Sequence, residues 1–155
     1  MNNSKSEIRS LVVYAPIIYL IALILGIIAD SFYYTPLSQS LIIESIGSFL
    51  ILFATGLVLW AQYSLRKFKK IKKEELTPKS FSLGPYKFSK HPTYLSLGFL
   101  VLGLGLMLNS LIITTMALIA FVSVYFLILR KEESILEKKY GDIYKRYKDE
   151  IHPWI

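Results

Sequence analysis

From Tyr94 to Leu129 the chain reads YLSLGFLVLGLGLMLNSLIITTMALIAFVSVYFLIL, 36 residues without a charge. As one helix this run would be about 54 Å long, against a hydrocarbon core of about 30 Å. It must break, and the polar pair Asn109-Ser110 is where a turn is expected. The stretch therefore reads as two shortish spans, 94–108 and 111–129, joined as a tight hairpin. Upstream lie two more uncharged runs of spanning length, Leu11–Ala29 with 19 residues and Ser45–Leu65 with 21.

Charge placement selects this count. With four spans the N-terminus, the loop from Arg66 to Pro92 and the tail from Arg130 share one side, and all 18 basic residues fall there. With three spans, the seven basic residues of the tail would face the other nine of the loop and two of the N-terminus across the membrane. The bias of Lys and Arg toward the cytoplasm favours four spans with both termini cytoplasmic, at the cell membrane if the source is prokaryotic. The expectation is one all-α integral membrane domain over 1–155, with the lipid bilayer as its first partner. A formal charge of +7 is then explained by orientation and anionic lipid, not by nucleic acid. The chain is 54% hydrophobic, with a mean hydropathy of +0.47. The first run is longer than most signal-peptide cores and lacks a small-x-small cleavage site, so a retained span is expected, with Pro16 in its first turns.

Composition narrows the chemistry. There is no Cys, which excludes thiol catalysis and Cys-ligated zinc, and the two His residues supply a metal site poorly. Phe68, Ile71 and Leu76 suggest a helix on the membrane surface, ended at Thr77-Pro78. An apolar stripe including Ile135, Tyr140, Tyr144 and Tyr147 predicts a cytoplasmic C-terminal helix, weakened at Gly141 and stopped by Pro153.

Polar groups gather at the cytoplasmic ends of the hairpin. Pro92 suits the first turn of the third span, leaving unsatisfied N–H groups and the positive helix end beside His91 and Tyr94. Glu132-Glu133 follows the last span; it is either a solvated helix start or a carboxylate pair held at the surface to accept from hydroxyl or ammonium groups. Gly98, Gly103 and Gly105 read first as close helix packing, with room for a ligand as the alternative. Tyr140, Tyr144 and Tyr147 form a surface stripe or a cover of electron-rich rings.

In order, Gly84-Pro85-Tyr86, Lys90-His91-Pro92-Thr93-Tyr94, a helical hairpin, Glu132-Glu133 and Tyr140-Gly141-x-x-Tyr144-x-x-Tyr147 resemble the isoprenylcysteine carboxyl methyltransferase and phospholipid methyltransferase superfamily. The resemblance covers roughly Phe81 to Ile155. It implies a membrane enzyme that takes a methyl group from S-adenosylmethionine, with Tyr86, Lys90, His91, Tyr94, Gly103, Gly105, Glu132, Glu133 and Tyr144 toward the cofactor. Arg146 and His152 are the basic residues it places on the acceptor side. A lipophilic acceptor like an isoprenylcysteine carboxylate is implied; a phospholipid or lipid amine is the alternative. More distant readings are a nicotinamide-dependent membrane reductase and a non-catalytic membrane scaffold or transporter-like protein. Two positions depart from the pattern: Lys90 stands where Arg is usual, keeping charge but losing the bidentate fork, and Ser96 stands where Gly often follows the Tyr.

Overall fold

A computed structural model describes residues 2–38, 40–72 and 75–151, with side chains from Val13 onward. No strand occurs among the described residues. Helix α1 runs Asn2–Phe32, α2 Leu41–Phe68, α3 Pro78–Phe81, α4 Pro92–Met107, α5 Leu111–Val124, α6 Arg130–Tyr140 and α7 Asp142–Glu150. A 3-10 turn covers Gly84–Lys87, and a π turn, Tyr125–Leu129, joins α5 to α6. Three helical stretches are long and apolar enough to cross a membrane, and α4 is a shorter apolar fourth. Ile21, Leu25, Phe49, Leu52, Leu59, Ile119 and Val122 are exposed. Such an apolar exterior is unstable in water and natural in lipid. The chain is an all-α membrane protein.

The hairpin forms where expected. Asn109 turns the chain with φ +52°, a conformation Asn tolerates better than most residues. Ser110 then caps α5, accepting from the Ile113 N–H at 3.1 Å. The same turn clasps the α1–α2 connector. Asn109 Oδ1 accepts from the backbone N–H groups of Leu37 and Ser38, both at 3.1 Å. Leu111 N–H donates to Thr35 at 2.9 Å, and Ser110 donates to Asp30.

Chain neighbours are not space neighbours. Helix α2 packs chiefly on α4, α1 on α5, and α4 on α5, so the hairpin sits between the first two spans. The α2–α4 contact is backbone on backbone. A Cβ at Gly103 would lie 2.9 Å from the Gly47 carbonyl, and one at Gly47 would lie 2.7 Å from that of Gly103. Small residues permit this approach, which gains dispersion energy where lipid gives no hydrophobic drive.

Several boundaries differ from expectation. Helix α1 begins at Asn2, which puts Pro16 in its interior and not in its first turns. No surface helix follows Arg66 among the described residues: α2 ends at Phe68, and Thr77-Pro78 starts α3 instead of ending a helix. Thr77 and Ser80 form a reciprocal capping box there, with Pro78 in the first turn. The tail is two helices, since Gly141 adopts φ +60°, ψ −138° and reverses the chain. Pro153 lies outside the described residues.

Candidate functional site

Helix α4 has 16 residues, about 24 Å, less than the hydrocarbon thickness. The element spanning Leu111–Tyr140 has 30, of which the uncharged part ends at Leu129. Short against long, the pair sets the start of α4 opposite the first turn of α6. There His91 meets residues 41 and 42 positions later in the chain.

His91 Nε2 lies 3.3 Å from Glu133 Oε1, and His91 Nδ1 lies 3.8 Å from Glu132 Oε2. Glu133 Oε2 pairs with Lys148 Nζ at 2.9 Å, and Lys148 also reaches Glu137 Oε1 at 2.7 Å. The His91 ring stacks on Tyr94 with centroids 5.8 Å apart, and its backbone N–H donates to Ser89 Oγ at 3.3 Å. Lys90 and His91 are both buried. Tyr94 is held from behind by Tyr19, whose hydroxyl donates to the Tyr94 carbonyl at 3.3 Å.

The two carboxylates differ sharply. Burial would raise the Glu133 carboxyl, but hydrogen bonds from His91 and Lys148, with their charges, hold it down at about 2. Glu132 is pushed up, chiefly by burial and against the opposing charge of His91. Its Oε2 and the Tyr94 hydroxyl are buried atoms with no hydrogen-bond partner among the described residues. The two groups lie near enough to influence one another's ionisation without a bond of normal geometry. Burial lowers the Lys90 ammonium, opposed by the Glu133 charge. An ionised Glu133 only accepts, so His91 Nε2 carries the proton in their hydrogen bond.

The C-terminal helix covers this cluster. Tyr147 OH donates to the Tyr86 carbonyl at 3.0 Å, and Tyr86 OH meets Thr93 Oγ1 at 3.4 Å. Burial pushes the Tyr86 phenol to about 12. Phe81 stands at the centre of an aromatic group, 5.1 Å from Tyr140, 5.5 Å from Tyr144 and 5.6 Å from Tyr147 between centroids. Gly84, at φ +59°, sets the start of the segment against Ser64 and Trp60 of α2 so closely that a Cβ would not fit.

Of the residues singled out from sequence, Tyr86, Lys90, His91, Tyr94, Glu132, Glu133 and Tyr144 converge. Gly103 and Gly105 do not. Gly103 is about 17 Å along α4 from the helix start and packs on α2. A Cβ at Gly105 would strike Thr114 N at 2.7 Å inside the hairpin. Arg146 is exposed on α7, and His152 lies outside the described residues. Ser96 is fully buried and donates to the Thr93 carbonyl at 2.7 Å, so its hydroxyl is accommodated. Lys148, Glu137, Ser89 and Phe81 were not singled out. Only the turn at Gly141 brings Lys148 back to Glu133, and no spacing pattern announces it.

The sequence pattern of the phospholipid methyltransferase family matches residues 43–143, some two-thirds of the chain. No curated protein and no solved structure matches. The matched range runs from the first turn of α2 through His91, the hairpin and the glutamate pair to Ile143, at the start of α7. This chain therefore belongs to the phospholipid methyltransferase family, within the isoprenylcysteine carboxyl methyltransferase-like membrane superfamily, and is a membrane methyltransferase.

Proposed function

We propose that the protein methylates a lipophilic or amphipathic acceptor with S-adenosylmethionine as donor, at the cluster around His91. The observation that carries this is the convergence of His91, Glu132, Glu133 and Lys148 where α4 and α6 leave the apolar zone. The chemistry of the donor set fits the cofactor. The unpartnered Glu132 Oε2 accepts and the Tyr94 hydroxyl can donate, which suits a hydroxyl-bearing ligand. Glu133 offers a fixed negative charge to an ammonium, and Lys90 a positive charge to a carboxylate.

Bound there, the cofactor would supply an electrophilic methyl group on a sulfonium. Methyl transfer needs alignment and exclusion of water more than it needs acid catalysis. Tyr94, Tyr144 and Tyr147 are buried and wall the cluster against water. His91, held by Glu133 and by Ser89, orients the polar groups. The cluster adjoins the ends of the uncharged runs, where an acceptor anchored in lipid can reach it. Both termini are assigned to the cytoplasm by the basic residues, and Arg146 and His152 to the acceptor side by the resemblance.

Isothermal titration of detergent-purified protein with S-adenosylhomocysteine tests the reading. Wild type should bind, and His91→Ala and Glu133→Ala should each weaken binding by at least about tenfold, as for loss of a charged hydrogen bond. A folded wild type that does not bind would sink it.

A further inference from the structure

We propose that the lipid-facing side of the α4–α5 hairpin carries a binding site for one anionic phospholipid, its acyl chain laid in an apolar furrow and its phosphate on Arg130. The site lies outside the His91 cluster and does not depend on the chemistry of that cluster.

The furrow follows from how the hairpin packs. Gly98 lets the Phe121 ring settle against α4, so closely that a Cβ at Gly98 would overlap it. A hollow lies on each side of that ring. One is bounded by Phe99 and Leu102 of α4 and Leu118 of α5, over Gly98 and Ala117. The other lies among Phe121, Val122, Tyr125 and Phe126. The two share Phe121 and follow one side of α5, since Leu118, Val122 and Phe126 recur every four residues. From Ala117 to Phe126 the helix rises about 13 Å, against about 15 Å for half of a bilayer core. The furrow therefore runs the depth of one leaflet, the length over which an acyl chain lies beside a protein.

An apolar furrow alone takes any lipid, and its rim selects. Four residues past Phe126 comes Arg130, the first charge after the uncharged run. Its guanidinium carbon lies 5.0 Å from the Phe126 ring centroid and 5.9 Å from that of Tyr125, over two walls of the furrow. Those rings stand edge to face, with centroids 5.2 Å apart. Stacking on aromatic faces holds the planar guanidinium still and leaves its N–H fork directed outward, the geometry that binds phosphate through two bonds at once. Arg130 and the exposed Lys131 beside it have no carboxylate partner among the described residues. The next acids, Glu132 and Glu133, are turned to His91, and Glu133 is also held by Lys148. The rim is thus positive and uncompensated. A zwitterionic headgroup would bring an ammonium that finds no acceptor there, whereas a headgroup of net negative charge neutralises the rim. Lys70, exposed past the end of α2, has the same charge but adjoins neither hollow.

Lipid selection is read by native mass spectrometry. The protein is released from nanodiscs holding equal amounts of dioleoylphosphatidylglycerol and dioleoylphosphatidylcholine, and the lipids retained on it are counted. Wild type should keep one phosphatidylglycerol, favoured about tenfold over phosphatidylcholine, the scale of one charged hydrogen-bonding contact. Arg130→Gln should abolish the preference. Arg130→Lys should leave it in between, because charge remains and the stacked fork is lost. Val122→Trp, at an exposed position, should fill the furrow and end retention with Arg130 intact. Lys70→Gln removes one charge elsewhere and should keep the wild-type ratio. Circular dichroism and a cooperative melt establish that each variant is folded. Equal retention of the two lipids by wild type overturns the proposal. So does an equal loss in Lys70→Gln, which would mark diffuse attraction to an anionic surface. Phosphatidylglycerol kept by folded Val122→Trp overturns the furrow as its seat. A dimer that Val122→Trp disrupts would give the furrow to a second copy of the chain and overturn the lipid assignment.

Discussion

Glu132 and Glu133 are adjacent, identical and unequal, and only their partners explain it. Glu133 is held at about 2 by His91 and Lys148. The sign follows: a depressed carboxyl stabilises the fold fully above its ordinary value near 4.5, and that contribution is lost as pH falls toward about 2. Thermal unfolding in detergent should show wild type losing more stability over that window than Glu133→Gln; parallel pH profiles would contradict the pairing. Glu132, pushed up, acts the other way, its contribution declining as pH rises above the ordinary glutamate range. His91 and the glutamate pair were legible in sequence through the joint order of Gly84-Pro85-Tyr86, Lys90-His91-Pro92-Thr93-Tyr94 and Glu132-Glu133, since each alone reads as an ordinary helix start. Lys148 was not. It is one of several basic residues in a solvated tail, and nothing local separates it from Lys145, whose pairing with Asp142 is exposed.

At the scale of elements, the π turn at Tyr125–Leu129 explains why helical periodicity alone cannot say which glutamate faces inward. A π turn admits an extra residue, which rotates everything after it by roughly 100° about the helix axis. Ile128 and Leu129 are buried while Phe126 and Leu127 face out, and the phase of α6 follows from that. Gly141 is the second decisive element. Its φ +60°, ψ −138° lies near a region open essentially to Gly, where another residue costs about 1–3 kcal/mol. Gly141→Ala should release α7 from the Tyr86 carbonyl and the Phe81 ring group, seen as faster proteolysis after Tyr140 and weaker S-adenosylhomocysteine binding. Unchanged cleavage would show that α7 docks without this turn. The Tyr140, Tyr144 and Tyr147 stripe announced a helix with one apolar face. Whether it lay on lipid or over the loop depended on Phe81, 59 residues before Tyr140, offering an aromatic surface to receive it.

For the whole molecule, helix order is set by two contacts distant in sequence. Gly47 against Gly103 brings α2 onto α4, and Gly47→Ala should cost about 1–3 kcal/mol by overpacking, read as a lower unfolding midpoint in detergent. At the nearby hairpin turn, Asn109→Ala removes the acceptor for two connector N–H groups and puts Ala at positive φ. A loss of about 1–3 kcal/mol is expected, with the connector opening to hydrogen exchange. The amino-acid sequence by itself determined the all-α membrane class, the break at Asn109-Ser110 and the residue types of the site. Long uncharged runs, the length of a bilayer-crossing helix and the scarcity of helix-breaking residues are local properties that do not depend on neighbours. Only the tertiary structure decided that the hairpin sits between α1 and α2, that Gly103 and Gly105 serve packing contacts away from His91, and that Lys148 closes on Glu133. Those facts depend on how closely two backbones approach and on the phase of a helix after a π turn, and both are settled by contacts between residues far apart in the chain.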